Sequence, residues 1–98
     1  MVRDRETRTP VSELVGMVVT SRAGRDAGER YVVVGTAEGD MVLVADGRRR
    51  GMGRPKRKNA KHLVVHGVAA AVAERLRGRQ VVTDEELRGA LSATPEGE

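Results

Sequence analysis

The chain has 98 residues, 39% hydrophobic and 33% charged, and its 18 Lys and Arg against 14 Asp and Glu give a formal net charge of +4. That length supports one small domain with a modest core of Val, Leu, Ala and Met, because Phe and Trp are absent and Tyr31 is the only aromatic residue. Cysteine is absent, which excludes disulfides and thiolate metal sites, and His62 and His66 alone do not make a zinc set.

Residues 1–12 are polar, mixed in charge and contain Pro10, the composition of a disordered tail. They lack the apolar core of a secretory signal. No stretch of the chain approaches the roughly 18–20 apolar residues that span a bilayer. The expectation is a cytoplasmic protein with no membrane partner. Residues 14–20, Leu-Val-Gly-Met-Val-Val-Thr, are rich in β-branched side chains and predict a strand. Residues 21–29 form a turn-rich loop in which Gly24 and Gly28 flank Arg25-Asp26-Ala27. A second strand is predicted over residues 30–36 and a third over residues 41–45, with a turn at 37–40.

Asp46-Gly47 is a hairpin signal, since Gly tolerates positive φ and Asp does so better than most residues. It predicts a fourth short strand over residues 48–52, a loop over 53–61, and a fifth strand over 62–66. The period then changes. Val68, Val72 and Leu76 recur every four residues beside Ala69 and Ala73, an apolar helical stripe ending near Gly78. Thr83-Asp-Glu-Glu86 has the form of a capping box and starts a second helix, residues 84–92, that presents Leu87, Ala90 and Leu91. Residues 94–98 read as a frayed acidic tail.

The positive charge is local. In residues 48–61 eight of fourteen side chains are cationic (Arg48, Arg49, Arg50, Arg54, Lys56, Arg57, Lys58 and Lys61) and none is acidic; the rest of the chain is net −4. A block of like charge repels itself and attracts a polyanion. Pro55 and the glycines at 51 and 53 favour an extended segment that can track several phosphates. One aromatic is a poor platform for stacking bases, so the block points to recognition of phosphate and shape, which folded RNA with closely spaced phosphates fits and which charge alone leaves open to DNA as well.

The segment from Val15 to Val34 carries Gly16 ahead of Val18, the Gly24-Arg25-Asp26-Ala27-Gly28 loop and the valines of residues 32–34. It resembles a KOW motif, a strand–loop–strand unit of ribosomal proteins and transcription elongation factors. The further text Val44-Ala-Asp46-Gly47, the arginine run and residues 54–63 is similar to a narrower group. These are bacterial KOW-domain RNA-binding proteins akin to the KOW-bearing large-subunit ribosomal proteins of eukaryotes and archaea. The resemblance covers about residues 14–63. It departs at Ala27, where many relatives carry a Lys, and at Arg30 and Tyr31, where many KOW motifs carry a further Gly.

Two readings of the glycine loop stand side by side. In one, Gly24 and Gly28 expose backbone N–H groups as a nest for phosphate, flanked by Arg22 and Arg25. In the other, the glycines close a hairpin and the arginines pair with Asp26 and Glu29. The resemblance favours RNA. Catalysis has little support: Gly51-Met52-Gly53 is no phosphate-loop fingerprint, and no carboxylate or thiol near the two histidines completes a triad or metal set.

The expected fold is mainly β: a small SH3-like (KOW) antiparallel β-barrel over residues 13–66, including the basic loop 53–61, with two short C-terminal α-helices in a helical extension over 67–93. The expected function is a non-catalytic, ribosome-associated RNA-binding protein. Its partners would be ribosomal RNA or a ribosomal subunit, and ribosomal proteins; no cofactor, metal or small-molecule substrate is implied. The alternative is a protein–protein adaptor of the transcription and translation machinery that uses the KOW unit.

Overall fold

The computed structural model describes residues 10–93. Strands β1 (Met17–Ser21), β2 (Arg30–Thr36), β3 (Met41–Ala45), β4 (Lys56–Asn59) and β5 (Leu63–Val68) are followed by helices α1 (Ala70–Arg77) and α2 (Asp84–Ala93). The predicted tails at residues 1–9 and 94–98 lie outside the described residues.

All strand pairs are antiparallel, in the order β4-β3-β2-β1-β5. The protein is mainly β, as expected, but the sheet does not close into a barrel. Strands β4 and β5 are its two edges and do not pair with each other. A short 3-10 turn, Ala60–His62, separates them instead. It is held at both ends: the Ala60 N–H donates to the Asp40 carbonyl at 2.9 Å, and the Arg22 N–H donates to the His62 carbonyl at 2.9 Å. The register shifts at Val18/Val19 in β1 and at Val33/Gly35 in β2, and such irregularities bend the strands.

Both sheet faces are covered, which explains why β2 and β3 read as continuous apolar runs rather than as alternation. On one face Val18, Val32 and Ala45 pack with Ala69, Val72, Val82 and Leu87 from the helical part. On the other, Val19, Tyr31, Val33, Val42 and Val44 pack with Leu63, flanked by Val11, Leu14 and Val15. The valines at 18, 19, 32, 33, 42 and 44 are fully buried. Each such side chain contributes about 1.5–3 kcal/mol of burial. Only the end of the expected tail is corrected by this packing: Val11 and Ser12 belong to a 3-10 turn, Val11–Leu14, that packs against the core. The first strand accordingly starts at Met17, after Gly16 turns the chain at φ +92°.

Gly16 is required there for a second reason. Its carbonyl accepts from the Ala69 N–H at 2.8 Å, bringing the start of α1 against it, and an added Cβ would lie 2.7 Å from the Ala73 Cα. The capping box at the start of α2 forms as expected. The Glu86 N–H donates to Thr83 Oγ1 at 3.1 Å, and the Thr83 N–H donates to Glu86 Oε1 at 2.9 Å. Arg75 of α1 also reaches Glu86, at 3.2 Å, so it is tied between the helices.

The fourth strand differs from the expectation. Residues 48–52 are not a strand, and Lys56–Asn59, expected as loop, is. The Asp46 carboxylate explains the first change. Its Oδ1 accepts from the N–H groups of Arg48 and Arg50 at 2.8 and 3.0 Å, so these donors do not enter a ladder with β3. The Asp46 N–H in turn donates to the Arg50 carbonyl at 2.9 Å, closing a compact loop. Strand β3 pairs instead with the lysine-rich segment, Val42 opposite Lys58 and Val44 opposite Lys56.

Candidate nucleic-acid interface

A strand of sequence Lys-Arg-Lys-Asn needs a reason to sit at the edge of an apolar sheet. The period of two puts Lys56 and Lys58 on one side and Arg57 on the other. On the lysine side stands Asp26, from the loop between β1 and β2. Lys58 Nζ lies 3.0 Å from Asp26 Oδ1 and Lys56 Nζ 3.1 Å from Oδ2. The Tyr31 hydroxyl donates to Oδ2 at 2.8 Å, and the Ser21 hydroxyl donates to Oδ1 at 3.0 Å. Burial by itself would raise the carboxyl's pKa. The hydrogen bonds from Tyr31, Lys58, Lys56 and Ser21 outweigh it and hold the group well below the usual carboxylate range. Tyr31 moves the other way: burial, and then its bond to the Asp26 carboxylate, push the phenol above its ordinary value.

This cluster changes the standing of the basic block. The side chain of Lys58 is only 10% exposed, and its ammonium also donates to the Ala23 carbonyl at 3.3 Å. Lys58 is therefore engaged inside the fold rather than presented at the surface. Lys56, 31% exposed, shares the same carboxylate but reaches the surface. Arg57 sits 3.7 Å from Glu38, both exposed, on the opposite side of β4. Within residues 53–61, Lys56–Asn59 is thus a strand whose two lysines share an internal carboxylate, and the segment is not a loop of free cations.

The glycine loop follows the hairpin-closing reading at its backbone. Gly24 and Gly28 take φ of +84° and +94°. The N–H groups of Ala27, Gly28 and Glu29 donate to the carbonyls of Gly24, Ser21 and Asp26 at 3.2, 2.7 and 2.9 Å. Those three donors are turned inward, so they build no phosphate nest. The partners of Asp26 are lysines from β4, rather than the loop's own arginines. Arg22 points elsewhere, donating to the Lys61 carbonyl at 3.1 Å, so Arg22 and Lys61 form a separate exposed pair of cations.

What remains is a convergence that the linear sequence hides. The loops after β1 and after β3 leave the sheet side by side. Between them lies a concavity of about 410 Å³ with Arg25, Arg49, Arg50 and Lys56 on its wall. Tyr31 and the carboxylates of Asp26, Glu29 and Asp46 complete it. Asp26 is occupied by the lysines and Asp46 by the loop backbone. Among the described residues, no carboxylate pairs with the side chain of Arg25, Arg48, Arg49, Arg50 or Arg54. Arg48 turns to a neighbouring concavity of about 370 Å³ that also includes Gly28 and Arg88 of α2. Tyr31, at 4% exposure and with its hydroxyl bound, offers no ring to stack a base. The wall thus carries four cations, two carboxylates already engaged within the fold and the exposed Glu29, and it offers no stacking platform.

Among the described residues, no group of three or more His, Cys, Asp or Glu is arranged to hold a metal ion. No described helix is long and apolar enough to cross a membrane. His66 Nε2 lies 2.6 Å from Thr20 Oγ1 across the β1–β5 pair. Neither a family-model scan nor a search of curated proteins returns a match to this chain.

Proposed function

We propose that the protein is a non-catalytic RNA-binding module of the KOW type, acting in the cytoplasm in association with the ribosome. The observation that carries the reading is the meeting of Arg25 with Arg49 and Arg50 around one concavity, without ion partners among the described residues. Guanidinium groups from two loops suit closely spaced phosphates, which each can engage in a two-pronged manner. The bent five-stranded sheet is in keeping with an SH3-like KOW unit without full closure, and the resemblance over residues 14–63 directs the reading to ribosomal RNA. The contact set drops Arg57 and Lys58 from the charge block and adds two arginines from outside it: Arg25, Arg49, Arg50 and Lys56 around the concavity, Arg48 beside it, Arg54 further along the same loop, and Arg22 with Lys61 as an outlying pair.

The rival reading, a protein–protein adaptor, draws on one observation. Edge strand β5 exposes Val64, Val65 and Val68 at 39%, 45% and 53%. Sedimentation of a lysate with and without nuclease separates the two. The RNA reading expects the protein to leave the ribosomal fractions once RNA is digested. Continued co-sedimentation with a protein partner after digestion would overturn it in favour of the adaptor.

A further inference from the structure

Gly47 and Gly51 bracket the arginine triplet, and both lie against the first turns of α2. An added Cβ on Gly51 would stand 2.8 Å from Asp84 Oδ2, and one on Gly47 would stand 3.0 Å from Arg88 Cγ and closer still to the Asp84 carbonyl. The contacts are bonded as well as close. The Met52 N–H donates to Asp84 Oδ1 at 2.7 Å, and Arg88 Nη1 donates to the Gly47 carbonyl at 2.6 Å. The loop is thus fastened on two sides. Asp46 gathers the N–H groups of Arg48 and Arg50 from within, and α2 holds both glycine hinges from without.

A pre-set loop loses less conformational freedom on binding than a free one. The geometry points to Asp84 as a positioning residue for RNA binding: an acidic side chain that strengthens the grip on an anion by fixing the arginine loop on α2. This inference rests on the proposed RNA-binding function. It also makes α2 part of the binding apparatus rather than a mere lid on the core. Electrostatics alone assigns Asp84 the opposite role, because a carboxylate beside a phosphate site repels the ligand. The two accounts therefore differ in sign.

The test uses the full chain and a structured fragment of ribosomal RNA as probe, in a filter-binding or fluorescence titration. Asp84→Ala removes both the acceptor and the charge. Gly51→Ala drives the Asp84 carboxylate off its contact with the Met52 N–H without altering any charge. Asp84→Asn removes the charge but keeps an acceptor oxygen for the Met52 N–H. The expected result is affinity about five- to tenfold weaker for D84A and for G51A, with D84N as tight as the unsubstituted protein or tighter. Affinity for D84A equal to or above that of the unsubstituted protein would overturn the inference, and so would equal weakening by D84A and D84N. Amide exchange on the free protein gives a readout independent of RNA. D84A is expected to speed exchange at Met52 while leaving Val18 and Val32 in the sheet unchanged, and unchanged exchange at Met52 would overturn the fastening. If the unsubstituted protein binds no RNA, the proposed function fails, whereas the exchange result still reports on the contact itself.

Discussion

Replacing Asp26 by Ala tests the internal electrostatics most severely. The substitution strips Lys58, at 10% side-chain exposure, of its counter-ion, and takes a hydrogen-bond acceptor from Tyr31 and Ser21. Removing one partner of a buried ion pair costs about 3–5 kcal/mol, because the other charge is left desolvated and alone. Lys56 at 31% exposure can rehydrate, and the Ala23 carbonyl remains for Lys58, so the loss lies around and somewhat below the lower end of that range. We expect a loss of about 2–4 kcal/mol. A domain of this size has about 5–15 kcal/mol in total, so the loss is a large fraction. At about 4–8 °C per kcal/mol, Tm should fall by at least about 8 °C. The assay is thermal and urea denaturation at pH 7, with Lys58→Met and the double variant completing a cycle. The double variant should be more stable than Asp26→Ala alone, because the stranded charge is gone. A loss below about 0.5 kcal/mol, or simple additivity in the cycle, would refute the claim that Asp26 organises β4.

The remaining predictions are narrower. Asp26 is held below its ordinary pKa of 3.8 in the fold, so its contribution is fully present above that value and is lost as the pH falls through and below it. Stability measured from pH 6 down to pH 2 should fall less steeply in Asp26→Asn than in the unsubstituted chain. Tyr31 is raised above its ordinary value of 10.0, so the unfolded chain ionises first and stability should decline above about pH 10, less so in Tyr31→Phe. Gly16→Ala must combine positive φ with a clash against Ala73 and should cost about 2–4 kcal/mol in urea denaturation. Thr83→Ala should cost about 1 kcal/mol through loss of the cap, seen as a lower Tm.

The parts of the fold legible in the sequence are those whose signals are local. Strands β2 and β3 appear at their predicted bounds because Tyr-Val-Val-Val is packed on both faces and Val42, Val44 and Ala45 are fully buried. The Thr83 capping box announces α2 by spacing alone. Two of the errors come from a carboxylate whose partners the sequence does not announce. The Asp46 carboxylate turns an expected hairpin into a closed loop by taking the N–H groups of Arg48 and Arg50. Asp26 turns a cationic segment into an edge strand by neutralising Lys56 and Lys58, about thirty residues on in the chain.

The candidate site was legible as charge but not as shape. The block of eight cations was visible, whereas its division into internal, rim and free members was not. The one signal for that division was the Lys-x-Lys spacing, which matches a strand with one side turned inward. Nothing local connects Arg25 with Arg49 and Arg50; the antiparallel order of β1, β2 and β3 does so by bringing two loops to the same end of the sheet. The role of Asp84 was equally hidden, since a first-turn acid has a sufficient explanation in the helix dipole.

The central claim is that Arg25, Arg48, Arg49, Arg50 and Arg54 grip RNA phosphates. The most direct measurement is the salt dependence of affinity for structured ribosomal RNA, with and without Gln at Arg25, Arg49 and Arg50. Five phosphate contacts predict that log affinity falls against log salt with a slope of about −3.5 to −4.5, and loss of three contacts predicts a slope of about −1.4 to −1.8. A slope near zero for the unsubstituted protein, or the same slope and affinity in the triple variant, would contradict the account.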